Sequence, residues 1–192
     1  MARNPERRAA LADAGIVVLA REGARGLSHR AVDAECGVPA GTTSNYFRSR
    51  RALVEALIER IGVRLAPAPE RLRELAGREP GRELFADHLR YIVERLTADP
   101  RVALALLELR LEAARRPAVA EVIGRWQREA FAADVAYNDA AGLPGGTAEI
   151  ALFHYAIDGF VLDRLTTPID PGTSADAVID RLVDAVFGAP AR

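Results

Sequence analysis

Apolar residues recur at three- and four-residue spacing along almost the whole chain, and nowhere do β-branched residues alternate with polar ones for long enough to make a strand. That pattern confines the chain to an all-α fold. Leu11, Ala14 and Val18 share one helical face in a run expected to stop at Glu22-Gly23, since glycine takes the left-handed conformation that ends helices. Ser28 is placed to cap a short second helix carrying Val32 and Cys36, which Gly37 terminates. A third short segment covers 40–47. Ser49 is placed to cap a fourth helix carrying Leu53, Leu57, Ile61 and Leu65, which is expected to break near Pro67 and Pro69. Pro80, Pro100 and Pro117 each suit the first turn of a further helix. Two last helices are expected, roughly over 147–166 and 174–187.

Charge divides this helical chain. Residues 1–51 hold nine arginines against five acids, a balance of +4; residues 52–192 hold seventeen against twenty-two, −5, which together give the net −1. A small basic module on a mildly acidic body is the footprint expected when only one end meets nucleic acid. All 26 basic residues other than histidine are arginine. The longest apolar runs, such as Ile16 to Ala20 and Val102 to Leu107, fall far short of the roughly 18 residues a spanning helix needs. No export signal is visible, and the single cysteine, Cys36, makes neither an internal disulfide nor a zinc site. A cytoplasmic chain without metal or cofactor is therefore expected.

Two short helices joined by a glycine-containing turn, with a longer helix before and another after, form a helix-turn-helix. The helix before the turn crosses the phosphate backbone, so its amino terminus offers N–H groups and the Ser28 hydroxyl to phosphate, with Arg30 nearby. Gly37 permits the turn and Val38 fills the angle. The segment left to enter the major groove presents Gly41, Thr42, Thr43, Ser44 and Asn45, whose small hydroxyl, amide and methyl groups suit base edges, and Tyr46, which is long enough to reach a phosphate. Arg48, Arg50 and Arg51 add cationic reach to the backbone.

The stretch Ser28-His-Arg-Ala-Val-Asp-Ala-Glu-Cys-Gly-Val-Pro-Ala-Gly-Thr-Thr-Ser-Asn-Tyr-Phe-Arg-Ser-Arg-Arg-Ala-Leu53 resembles the DNA-binding signature of tetracycline-repressor-like (TetR-like) transcriptional regulators. The resemblance lies in the capping Ser28, the Gly37-Val38 turn, the Gly41-Thr42 opening of the recognition helix, the closing pair Tyr46-Phe47, and Ser49-Arg50 at the start of the fourth helix. It is strong over residues 8–58 and architectural beyond. It implies a three-helix DNA-binding domain over 1–51 and a helical effector-binding and dimerisation domain over 52–192, with a connecting helix at about 50–66. It also implies a homodimer on double-stranded operator DNA, most often a repressor, released by a small molecule.

Five positions depart from the family pattern. Pro39 stands where a capping Ser is usual, so the recognition helix is expected to lack a side-chain cap. Thr43 and Ser44 stand where Leu and Tyr are frequent, which removes a customary aromatic phosphate contact. Asp33 replaces a small apolar residue and is expected to be partly exposed. Arg50 replaces Lys and keeps the charge.

In the larger domain, helical phase places Glu108 beside the stripe Leu104, Leu107, Leu111, and His154 beside Ile150, Phe153, Ile157, so both are expected to project inward toward an effector. His88, Tyr91, Trp126 and Asp158 complete the candidate set, and the ligand expected is a largely apolar organic molecule with one or two hydrogen-bonding groups. The helix near 147–166 has two apolar faces: Ile150, Phe153, Ile157, Phe160 and Val161 on one arc, Leu152, Tyr155, Gly159 and Leu162 on the other. A second apolar face requires either an oligomer interface or a central place in a monomer. The resemblance favours the interface, to which the last helix adds Val178, Leu182 and Val186. Two rival readings carry less: a helical interaction module whose helix-turn-helix serves only packing, and an enzyme with His154, Asp158 and Glu108 as its acid/base cluster. The second has no phosphate loop, nucleophile elbow or metal-spaced ligand set to support it.

Overall fold

The computed structural model describes residues 4–188, and among them every regular element is a helix. In chain order these are α1 (Pro5–Gly26), α2 (His29–Glu35), α3 (Thr42–Tyr46), α4 (Arg50–Leu65), α5 (Pro69–Ala76), α6 (Arg82–Ala98), α7 (Pro100–Ala113), α8 (Pro117–Ala140), α9 (Thr147–Leu165) and α10 (Ala175–Phe187). The starts obey capping chemistry. Ser28, Ser49, Asp99 and Ser174 each accept a bond from a backbone N–H of the first turn of α2, α4, α7 and α10, which satisfies amides that have no partner inside the helix.

One expectation about boundaries is corrected and one is met. Pro69 does not merely break the fourth helix; it opens α5 from the first position, where its missing N–H costs nothing. Gly23 interrupts the regular helix where the stop is expected. It takes φ 69° and ψ −177°, a conformation only glycine adopts without strain, and the helix resumes after the kink as far as Gly26.

The chain divides into two compact units. One takes the chain up to Ala66 together with Asp99–Gln127; the other takes Pro67–Ala98 together with Arg128 onward. The core of the first is built from Leu11, Val18 and Leu19 of α1, Val32 of α2, Leu53, Leu57 and Ile61 of α4, Leu109 of α7 and Ile123 of α8, with Phe47 sealing the turn. Each is at most a few per cent exposed, and burying a side chain of this size contributes roughly 1.5–3 kcal/mol. In the second unit α6 packs on α9 and α10. Phe85, Phe153 and Phe187 meet there with ring centroids 4.9, 5.2 and 5.8 Å apart, in tilted and edge-on arrangements that suit aromatic quadrupoles. Buried Asn138 donates to the carbonyl of Gly145 at 3.0 Å in the loop before α9. No helix of the described residues is long and apolar enough to cross a membrane.

Candidate nucleic-acid interface

The turn between α2 and α3 is built by one residue. At the end of α2 the Gly37 N–H reaches the Ala34 carbonyl and the Val38 N–H reaches the Asp33 carbonyl, with Gly37 at φ 64°, a Schellman closure. The side chain of Asp33 then turns the other way. Its Oδ2 accepts from Gly41 N at 2.8 Å, and its Oδ1 accepts from Thr43 N at 2.7 Å and from the Thr43 hydroxyl at 2.5 Å. Main chain and carboxylate of one residue thus close one helix and open the next.

This overturns two expectations. Asp33 is 3% exposed, not partly exposed, and the recognition helix α3 is capped after all, from the preceding helix instead of from the position held by Pro39. Burial pushes the Asp33 carboxyl up, but the bonds from Thr43 and Gly41 and the nearby His29 outweigh it and hold the group below its ordinary value. Thr43 is 0% exposed with its hydroxyl spent on Asp33, so the reading of Thr43 as a base contact is corrected: it faces the domain interior. Periodicity over a five-residue helix gave too little phase to find this.

Apart from Tyr46, the remaining residues of α3 lie outward. Ser44, Asn45 and Gly41 are exposed and Thr42 is half-exposed. Gly41 sits at φ 91°, where a side chain would be strained. The Thr42 hydroxyl donates to the Pro39 carbonyl at 2.6 Å and the Ser44 hydroxyl to the Gly41 carbonyl at 2.8 Å. Tyr46 is half-buried and packs against the core beside Phe47. The Phe47 carbonyl accepts from His29 Nε2 at 2.6 Å, which ties the end of α3 to the start of α2.

The arginines separate into two kinds. Arg30 and Arg48 are exposed and make no side-chain bond among the described residues. Arg50 and Arg51 are engaged internally. Arg50 donates from Nη1 to the Leu27 carbonyl and from Nη2 to the Ala24 carbonyl, both at 2.7 Å, and lies 3.9 Å from the buried Glu112 carboxylate. Arg51 is bound by Glu55 and Glu121, which raise its pKa. The expected phosphate role of Arg50 is therefore corrected to closure of the end of α1. Ser28 is exposed and caps α2 through the Ala31 N–H at 3.1 Å.

The effector candidates fall into both units. Glu108 belongs to the first, where its Oε2 accepts from Ala24 N at 3.4 Å beside the Gly23 kink, so its expected inward course toward an effector is corrected to a contact with α1. Trp126 is also in the first, so close to Gly62 that a Cβ there would lie 3.0 Å from its indole nitrogen. In the second unit His88 Nδ1 donates to the Leu84 carbonyl at 2.8 Å, which leaves Nε2 to accept from the Tyr137 hydroxyl at 2.9 Å. The Tyr91 hydroxyl accepts from Ala68 N at 2.8 Å, and the Arg95 guanidinium stacks over the Tyr91 ring at 5.0 Å. His154 Nε2 is 3.1 Å from Asp134, and its ring is edge-on to Phe131. Asp158 is half-exposed one turn further along α9. Arg95, which burial holds below its ordinary pKa, and Tyr137 and Phe131 were not among the expected residues; spacing alone gave them no phase relative to a pocket. A cleft of about 350 Å³ lies in the first unit, lined by Asp13, Val17, Cys36, Arg64, Asp99 and Arg101 among others, none of them an effector candidate.

On α9, Ile150, Phe153, Ile157 and Val161 are buried, whereas Tyr155, Leu152 and Leu162 are 71, 54 and 47% exposed and Gly159 has open space where a Cβ would stand. On α10, Val178, Leu182 and Val186 are half-exposed. Among the described residues no cluster of histidine, cysteine and acidic groups is placed to hold a metal.

Residues 11–57 match the model of bacterial regulatory proteins of the tetR family, and residues 80–188 match that of the tetracyclin repressor-like C-terminal domain. Among solved structures, a TetR family member from Streptomyces coelicolor A3 is 31% identical over 93% of this chain and 98% of its own, with a TM-score of 0.69. The multidrug binding protein EbrR, complexed with imidazole, is 28% identical over 96% of this chain and 89% of its own, with a TM-score of 0.65. A transcriptional regulator from Rhodococcus sp. Rha1 shares the fold at 23% identity, covering 96% of each chain, with a TM-score of 0.70. No curated protein matches the chain.

Proposed function

The chain belongs to the TetR family of bacterial regulatory proteins, and from that footing we propose that it binds a palindromic operator as a homodimer, represses from it, and is released by a small, largely apolar effector. It is a ligand-responsive DNA-binding transcriptional regulator. The observation that carries the DNA reading is the outward row Gly41, Thr42, Ser44 and Asn45 on a helix anchored from behind by Asp33, flanked by the uncommitted cations Arg30 and Arg48. In this reading the row meets base edges, while Ser28, Arg30, Tyr46 and Arg48 meet phosphate. Residues 1–51 are the DNA-binding domain and 52–192 the effector-binding and dimerisation domain, with the α4 region as connector.

The exposed row Leu152, Tyr155, Gly159 and Leu162 on α9 supports the homodimer, because large apolar side chains along one helix face gain by being covered. The half-exposed Val178, Leu182 and Val186 of α10 are assigned to the same seam. Two recognition helices must then sit about one DNA turn apart, roughly 34–36 Å. An effector that binds better to a different spacing shifts the population away from the DNA-competent one. His88, Tyr91, His154 and Asp158 of the second unit are its proposed contacts. EbrR is described with imidazole, proflavin and ethidium, planar aromatic molecules of which ethidium carries a fixed positive charge, which supports an aromatic organic effector here. Thermal-shift screening in which only highly charged compounds bind overturns the effector reading.

A gel shift on the region upstream of the chain's own gene, titrated with salt, tests the DNA reading. A reader of DNA gives an affinity that falls steeply as salt rises, because bound phosphates release counterions. No preference for any duplex over random competitor leaves the interaction-module reading in its place.

A further inference from the structure

The three hydroxyls of α3 have already given away their protons. Thr43 donates to the buried Asp33, Thr42 to the Pro39 carbonyl and Ser44 to the Gly41 carbonyl. A hydroxyl has one proton and two lone pairs, so what Thr42 and Ser44 present outward is acceptor character only. Asn45 differs. It is exposed, and its side-chain amide makes no bond among the described residues, so it offers a carbonyl acceptor and an N–H donor side by side. The helix Thr-Thr-Ser-Asn-Tyr carries no cation.

Set against the major groove, these three facts select bases. A paired donor and acceptor in one plane fits the N6 amino group and N7 of adenine. Acceptor-only hydroxyls suit the edges that present amino groups, adenine N6 and cytosine N4, and disfavour guanine O6 and N7 and thymine O4. The two-pronged contact to guanine comes from Arg or Lys, which α3 lacks. Resting on the DNA reading above, we infer that each half-site carries an adenine met by Asn45, beside amino-bearing bases met by Thr42 and Ser44, with no guanine held by α3. The Pro39 and Gly41 carbonyls also accept the helix's own amides, from Thr42 and Asn45, so releasing a hydroxyl leaves neither carbonyl unpaired.

Selection of bound duplexes from a random pool, with the full chain and with the Asn45→Ala and Ser44→Ala variants, tests this. Both residues are exposed, and a thermal melt of each variant checks that it remains folded. The expected result is one A·T pair strongly enriched in each half-site, whose preference falls roughly ten- to hundredfold in Asn45→Ala while the other pairs keep theirs. Ser44→Ala is expected to relax an adjacent adenine or cytosine a few-fold. Adenine enrichment that survives Asn45→Ala, or a half-site whose major-groove preference at these pairs is for guanine, overturns the assignment and leaves the DNA reading standing. Enrichment of no sequence at all takes down both.

Discussion

The Arg50 guanidinium lies 2.7 Å from the Leu27 carbonyl, and its second arm lies 2.7 Å from that of Ala24. These are the acceptors that the end of α1 leaves open, so the arginine acts as a cap supplied by another helix. Arg50→Ala is expected to lower the stability of the first unit by about 2 kcal/mol, the scale of bonds to a charged donor reduced for its partial exposure. Urea denaturation measures it. An unchanged midpoint with weakened operator binding would return Arg50 to the DNA contacts.

Arg30 and Arg48 should behave in the opposite way. Each is exposed and uncommitted, so Arg30→Ala and Arg48→Ala are expected to leave the unfolding midpoint in place. Each should weaken binding on all sequences alike and flatten the salt slope by about 1. A titration of affinity against salt separates them from Arg50.

Asp33→Ala removes both the carboxylate that caps α3 and the partner of a buried hydroxyl. With Thr43 then unpaired at 0% exposure, a loss of about 2–3 kcal/mol is expected, together with loss of operator affinity. Hydrogen exchange at the Thr43 amide reports the local effect, and retained protection there would refute the cap.

The pH dependence of the same residue has a fixed sign. Its folded pKa is lowered from 3.8, so its contribution is complete above that value and is lost as pH falls through the lower, folded one. The stability gap between the parent chain and Asp33→Ala is expected to be constant above about pH 5 and to close below about pH 4. Thermal melts in a pH series read this directly; a gap that widens on acidification contradicts the assigned bonds.

Leu152→Glu with Tyr155→Glu places two charges on the uncovered face of α9. Both sites are exposed within the protomer, so each change is expected to cost about 0.5 kcal/mol or less of protomer stability. Sedimentation should nonetheless report a fall from two chains to one, and operator affinity should drop with it. Variants that remain dimeric would move the seam elsewhere.

The helices that carry long apolar stripes were legible from periodicity and capping residues, and the two faces of α9 emerged because nineteen residues fix a phase. α5 was lost because a proline reads equally as an end and as a beginning. Within the site, Ser28 and Gly37 were readable because caps and turns are local chemistry. Asp33 was not, since its partners lie eight and ten residues away across a turn whose geometry exists only after folding. Arg50 was misjudged for a related reason: a charge at a helix start reveals nothing of the carbonyls that another helix brings to it.

Because one aspartate terminates α2 through its main chain and launches α3 through its side chain, the reading head is not a cassette that begins at residue 40. A chimera that swaps only 40–47 into a sister scaffold would arrive without its anchor, and retargeting this regulator to new promoters means moving position 33 along with the residues that face the groove.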